Sequence, residues 1–144
     1  MDYMYFQGVP DTQTLSGVLE LHKHVFEGSE LETEKLKEKS NLIVFVAKDH
    51  ERVIGFKIGY DYGNRTFYSW LGGVHKDYRG KGIAKELMSR QHNLVKSMGY
   101  TKARTISRNE KREMLILNIK FGFDIKETFT SDKGKHKIVL EKML

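Results

Sequence analysis

The feature that most constrains the fold is a basic, glycine-rich turn between an apolar strand and a long amphipathic helix. The turn, Arg79 to Gly82, reads RGKG and follows an apolar stretch that ends at Val74. A helix N-terminus leaves backbone N–H groups unpaired and carries partial positive charge. Glycines in the turn let an anion approach those groups closely. The arrangement predicts a diphosphate site at the start of the helix.

Two common phosphate-binding loops do not match this turn. The P-loop pattern GxxxxGK[ST] is absent from the chain. The dinucleotide pattern GxGxxG requires a third glycine where this chain has Lys85. The turn also falls in mid-chain, after several predicted strands. The turn therefore belongs to another class of phosphate-binding site.

Apolar periodicity on both sides of the turn predicts interleaved strands and helices in the order β-α-α-β-β-β-α-β-α-β-β. The strands are predicted at about 2–8, 42–47, 53–60, 66–74, 103–107, 123–129 and 137–140, and the helices at 12–27, 30–39, 80–98 and 109–121. Three consecutive strands are joined by short turns. We therefore expect an α/β (mixed α+β) fold, a mixed and mostly antiparallel sheet with helices on both faces. At 144 residues, one domain over 1–144 is expected.

Composition excludes several kinds of chemistry. The chain has no cysteine, so it has no disulfide, no thiolate zinc site and no cysteine nucleophile. Its six histidines show no ligand spacing, so no metal is expected. The serine-nucleophile pattern GxSxG is absent as well. No apolar run is long enough to span a membrane, and no signal-peptide pattern is present, so a cytoplasmic protein without membrane partners is expected.

The positive charge of the chain is concentrated in one region. The net charge is +6, but residues 75–112 hold 11 Lys and Arg against three acids, which leaves the remainder at −2. A uniformly basic coat would favour a nucleic-acid-binding module, the rival class. The localised charge instead favours a phosphate-rich small ligand, and the acidic remainder suggests a cationic partner.

The segment Arg79-x-x-Gly82-x-Ala84 matches the [QR]-x-x-G-x-[GA] pattern of the GCN5-related N-acetyltransferases (GNAT). A second match is Asn109, followed by an amphipathic stretch that ends in Lys120-Phe121-Gly122-Phe123. With the predicted element order, the chain resembles this superfamily over nearly its whole length. The resemblance implies transfer of an acetyl group from acetyl-CoA, or another acyl-CoA, to a primary amine of a small molecule or a polypeptide.

The resemblance implies a set of cofactor-binding residues. The pantetheine arm would lie between the strand before the turn and the strand 103–107, where the Val74 amide would polarise the thioester carbonyl. The cofactor-binding residues would be Gly73, Val74, Arg79, Gly80, Lys81, Gly82, Ile83, Ala84, Asn109 and Phe121. Without a cysteine or serine nucleophile, direct attack by the amine in a ternary complex is favoured.

Two positions depart from the family pattern. Many members carry a tyrosine, the general acid toward the thiolate, where this chain has Asn118. We expect Asn118 to contact the thiol or the pantetheine, since an amide cannot supply a proton. Several members carry a glutamate base where this chain has Tyr68. Tyr68 and Trp70 share a strand face and are expected at the acceptor end of the cleft.

The general base stays open among Glu27, Asp61 and an ordered water. Because of the departures at Tyr68 and Asn118, a non-catalytic acyl-CoA sensor of the same fold is the alternative function. The resemblance further allows a homodimer formed through the C-terminal strands.

Overall fold

The computed structural model describes all residues 1–144, as seven strands and four α-helices. The strands are β1 (Asp2–Gln7), β2 (Ile43–Asp49), β3 (Arg52–Gly63), β4 (Thr66–Val74), β5 (Lys102–Ser107), β6 (Asp124–Thr130) and β7 (His136–Met143). The helices are α1 (Thr12–Val25), α2 (Thr33–Lys37), α3 (Ile83–Ser97) and α4 (Arg112–Lys120). A single turn of 3-10 helix, Lys76–Tyr78, precedes the glycine-rich turn. The predicted element order and fold class are confirmed.

All seven strands form one sheet in the order β1-β2-β3-β4-β5-β7-β6. Every neighbouring pair is antiparallel except β4 and β5, which run parallel. The chain reaches that parallel pair through α3, because parallel neighbours need a crossover connection. The mixed, mostly antiparallel sheet therefore contains one parallel junction near its centre.

The two faces of the sheet bury different helices. Helices α1 and α2 cover one face of the sheet, which we call the α1 face. Their residues Val18, Leu21 and Leu36 pack there against the core around Phe56. Helix α3 covers the opposite face, which we call the α3 face, with an apolar stripe. Its Met88 also joins a smaller cluster with Phe123, Ile138 and Leu140, beside α4. The sheet is thus covered on both faces, as the interleaved pattern predicts.

Several predicted boundaries differ from the structure, and the largest changes in the helices have local causes. Helix α3 begins at Ile83 rather than at 80, because Gly80 and Gly82 adopt φ values of 74° and 80° that lie outside a helix. Helix α4 begins at Arg112 rather than at Asn109, since a turn closed by the bond from the Lys111 N–H to the Arg108 carbonyl comes first. The second helix covers only Thr33–Lys37 of the predicted 30–39.

Gly59 on β3 is required by packing. A Cβ atom built there would lie 2.3 Å from Phe67 Cε2 and 2.6 Å from the Tyr68 carbonyl oxygen. We expect Gly59→Ala to lower the free energy of unfolding by about 1–3 kcal/mol or more, because the buried Phe67 ring and the Tyr68 backbone would have to move. Urea denaturation measures this. Gly72→Ala on the adjacent strand is the control, since its nearest contact would be 3.5 Å. Equal losses in both variants would contradict the packing argument.

Candidate active site

The candidate site is a gap between β4 and β5. These strands pair over only three positions, the last of which joins Tyr68 and Arg104. Past that pair, Thr105 Oγ1 donates a hydrogen bond of 2.9 Å to the Ser69 carbonyl. A side chain thus takes the place of the backbone ladder as β5 separates from β4. The gap exposes strand backbone to an extended ligand, which could pair with it as an added strand does.

A β-bulge determines which β4 amides face the gap. Leu71 pairs with Ile58 and Ser69 pairs with Gly59, so Trp70 is an extra residue in β4. The His75 N–H donates to β3, at the Ile54 carbonyl. Because successive N–H groups of a strand point to opposite neighbours, the Val74 N–H points toward the gap. Because the bulge adds one residue, the backbone of Ser69 also points toward the gap, where its carbonyl accepts the bond from Thr105.

The glycine-rich turn closes one end of the gap. Arg79 Nε donates a hydrogen bond of 3.0 Å to the Val74 carbonyl, which fixes the turn to the end of β4. Gly80 and Gly82 have positive φ, and the space where their side chains would stand is open. Gly82 caps α3 without any side-chain hydrogen bond. The first N–H groups of α3 are therefore free to bind an anion.

The gap opens into a cleft of about 460 Å³. Its lining includes Lys57 of β3, four β4 residues from Ser69 to Gly72, and residues of β5 and α4. Five cations line it, Lys57, Arg108, Lys111, Lys135 and Lys137, and no carboxylate does. A cleft of one charge sign with apolar walls concentrates ligands of the opposite sign.

One end of the cleft is aromatic. Tyr68 and Trp70 both contact Tyr60 edge-on, at ring-centroid distances of 5.3 and 5.5 Å. Burial raises the pKa of Tyr68 to about 12, so its hydroxyl stays protonated. Phe26, at the end of α1, lies 4.0 Å below the Lys111 ammonium. The two residues predicted for the acceptor end do lie together in the cleft.

Lys57 is the innermost charge of the cleft. It stands opposite Gly72 in the β3–β4 pairing and is 7% exposed. Burial lowers the pKa of Lys57 to about 8, and no carboxylate opposes that effect. The nearby His92 of α3 is buried too. Its own burial, and then the charges of Lys142 and Lys57, lower the pKa of His92 to about 3, so it is neutral.

The other predicted residues divide into two groups. Asn118 is 5% exposed and lines the cleft, as a thiol or pantetheine contact requires. Asn109 is exposed in the β5–α4 turn, and Phe121 packs 5.6 Å from His92 outside the cleft. Neither base candidate lines the cleft. Glu27 is exposed beyond α1, and Asp61 lies beside the Tyr100 hydroxyl on the α3 side of the sheet.

Sequence reasoning missed several residues of the cleft, among them Lys57, Thr105 and Lys111. Lys57 carried a signal, because it is the one charged residue in the apolar stretch 53–60. Thr105 and Lys111 carried none, since their positions depend on how far β5 separates from β4.

The open strand pair and the glycine-rich helix start can be compared with those of known protein families. The family model described as "Acetyltransferase (GNAT) domain" matches residues 40–125. The chain therefore belongs to the GNAT acetyltransferase family. A comparison with curated protein sequences found no match.

Solved structures agree with this fold over the whole chain. An IAA acetyltransferase from Bacillus cereus has a TM-score of 0.76 at 18% identity, covering 99% of this chain and 100% of that one. PaiA N-acetyltransferase from Thermoplasma acidophilum, in complex with coenzyme A, has a TM-score of 0.75 at 16% identity, covering 100% of both. The NatC complex bound to Gag peptide and CoA has a TM-score of 0.81 at 17% identity, covering 100% and 99%.

No group of three or more His, Asp or Glu side chains is placed to hold a metal ion. None of the helices has the length and apolar character needed to cross a membrane.

Lys57 should reduce the stability of the fold. Its pKa is about 8 in the fold against 10.5 when exposed, so the penalty is complete below pH 8 and disappears toward pH 10.5. We expect Lys57→Met to raise the free energy of unfolding at pH 7 by up to about 3 kcal/mol. Urea denaturation at pH 7 and pH 10 measures both effects. A destabilised variant at pH 7, or a difference that does not shrink at pH 10, would contradict this expectation.

Proposed function

We propose that the chain transfers an acetyl group from acetyl-CoA to a primary amine, by direct attack of the amine in a ternary complex. The observation that carries this proposal is the continuity of the β4–β5 gap with the glycine-rich turn. The gap accepts an extended amide-bearing arm, and the turn accepts a diphosphate at one end of that arm. Two of the related structures, PaiA and NatC, contain coenzyme A, which agrees with this assignment.

The residues present fit an acyl-CoA donor. The N–H groups from Gly80 to Ala84, with Lys81, would bind the pyrophosphate, and Arg79 would hold the turn in place. The Val74 N–H would polarise the thioester carbonyl, where one such donor is worth ~10²–10³ in rate. Asn118 would contact the thiol or the pantetheine. The thioester supplies the activated acetyl group.

The cleft favours an acceptor that carries a negative group as well as its amine. Four cations, Arg108, Lys111, Lys135 and Lys137, line the same cleft as Tyr68 and Trp70, with no acid among the lining residues; we call them the rim cations. This differs from the cationic acceptor that the chain's charge distribution suggests, because the acidic residues lie outside the cleft. Glu27 and Asp61 lie outside it as well, so we propose that an ordered water accepts the proton of the amine.

The turn can be tested with a charge at Gly80. We expect Gly80→Asp to raise the Kd of acetyl-CoA roughly tenfold or more, because an acid would face the pyrophosphate and the residue would need φ of 74°. Isothermal titration calorimetry measures the affinity. Gly8→Asp, at φ 91° with open space around it, is the control for backbone strain and added charge. Equal affinity of both variants for acetyl-CoA would refute the pyrophosphate site.

The acceptor can be tested with matched amines. We expect an amino acid to be acetylated with a kcat/KM roughly tenfold above that of its uncharged amide, because the rim cations pair with the carboxylate. The double variant K135E/K137E should remove the preference. Release of free thiol from acetyl-CoA measures the rate. Preference for a diamine would contradict the anionic acceptor, and absence of thiol release with every amine would favour the acyl-CoA sensor.

A further inference from the structure

Lys57 is a buried cation with no counter-ion, aimed into the cleft. It is more than nine-tenths buried, yet it lines the space beside Ser69, Gly72 and Asn118. Gly72 leaves room beside it, since a Cβ there would lie 3.8 Å from Lys57 Nζ. A buried charge without a partner is costly, and apolar replacements of similar size are commonly more stable. A negatively charged ligand group that binds beside Lys57 would therefore offset this cost.

We propose that Lys57 stabilises the sulfur of the acyl donor as it leaves and gives it a proton, an assignment that rests on the proposed acetyl transfer. Aminolysis of a thioester releases a thiolate, and this one would form in the cleft beside the buried Lys57. An ammonium group held there in advance stabilises the developing charge without reorganisation. Asn118 lines the same cleft and would orient the sulfur through its amide.

The step balances within the cleft. As the bond forms between the amine nitrogen and the carbonyl carbon, the carbon–sulfur bond breaks and sulfur keeps its electron pair. Lys57 Nζ donates one proton to that sulfur and becomes a neutral amine. The acceptor nitrogen, positively charged after its attack, releases one proton to water. Lys57 recovers a proton from solvent, so the products are the amide and a free thiol.

The other polar groups in and around the cleft do not serve this purpose. Asn118 has no acidic proton. Tyr68, whose pKa burial raises to about 12, is a weak acid at neutral pH. His92, whose pKa burial and then neighbouring charges lower to about 3, is neutral. Lys111 is held over Phe26 at the rim. Lys57, with its pKa lowered to about 8 by burial, is mostly protonated at pH 7 and gives up its proton readily.

The first test needs no turnover. Coenzyme A and desulfo-coenzyme A are titrated into the wild type, Lys57→Met, Lys57→Gln and the control Lys142→Met. We expect the thiol of bound coenzyme A to titrate about one pH unit or more below that of the free thiol, followed by thiolate absorbance in the ultraviolet. Both Lys57 variants should lose the shift and bind coenzyme A more weakly near pH 8, while their affinity for desulfo-coenzyme A stays unchanged.

The control variant Lys142→Met removes a lysine charge that lies near Lys57 but outside the cleft. Lys142 lies above Phe121 and 3.3 Å from His92 Nδ1, outside the cleft, so Lys142→Met should keep the shifted thiol titration. The charged or titratable groups around Lys57 are His92 of α3 and, beyond it, Lys142 of β7, together with the cleft residues Tyr68, Arg108, Lys111, Lys135 and Lys137. None is a carboxylate. A shift that disappears in Lys142→Met, or persists in both Lys57 variants, would overturn the assignment.

The second test uses the reaction. We expect kcat with acetyl-CoA to fall about 10²-fold or more in Lys57→Met, the usual contribution of a general acid. If Lys57 instead binds an acyl carboxylate, only the rate with succinyl-CoA falls, and that result overturns the proposal. Binding of coenzyme A without any Lys57-dependent thiol shift refutes the role of Lys57 alone. Failure of the wild type to bind either ligand refutes the proposed function and this assignment with it.

Discussion

The separation of β4 from β5 is the constraint on which the site depends, and three local causes produce it. The pairing of β5 with β7 over its whole length, Lys102 to Ser107, holds β5 away from β4. The bulge at Trp70 changes the direction of β4, as bulges do. The Thr105 hydroxyl bonds the Ser69 carbonyl at the point of separation and keeps the ladder from closing further. The gap is therefore built into the sheet before any ligand binds.

In the proposed reaction, the two faces of the sheet would give the two substrates separate entrances. The glycine-rich turn leads into α3, and Lys57 lies beneath that helix near His92, so the donor side of the gap belongs to the α3 face. Tyr68 and Trp70 meet Tyr60 on the α1 face, beside Phe26. A reaction across the gap needs no covalent intermediate, since amine and thioester can be present together. The absence of a cysteine nucleophile agrees with this geometry.

The sequence predicts the element order, the turn and three residues of the cleft lining, Tyr68, Trp70 and Asn118, and it fails where distant contacts decide. Gly80 and Gly82 are recognisable because a positive φ at a helix start favours glycine. The start of α4 was predicted at Asn109, but a local turn delays it to Arg112. Asp61 was a reasonable base from its place after an apolar strand. Strand alternation places it on the side opposite Tyr60, beside Tyr100.

Lys57 shows why a buried charge in a strand is informative when it is read together with its register. On β3 it interrupts an apolar stretch, and sequence alone cannot say whether the side chain extends to solvent at a sheet edge. Lys57 pairs opposite Gly72 on an interior strand of the seven-stranded sheet, so its side chain cannot extend to solvent at a sheet edge. A cation so placed weakens the fold unless a ligand supplies the opposite charge. Loss of stability in the free protein and stabilisation of a leaving thiolate then have the same physical origin, the desolvated ammonium of one residue.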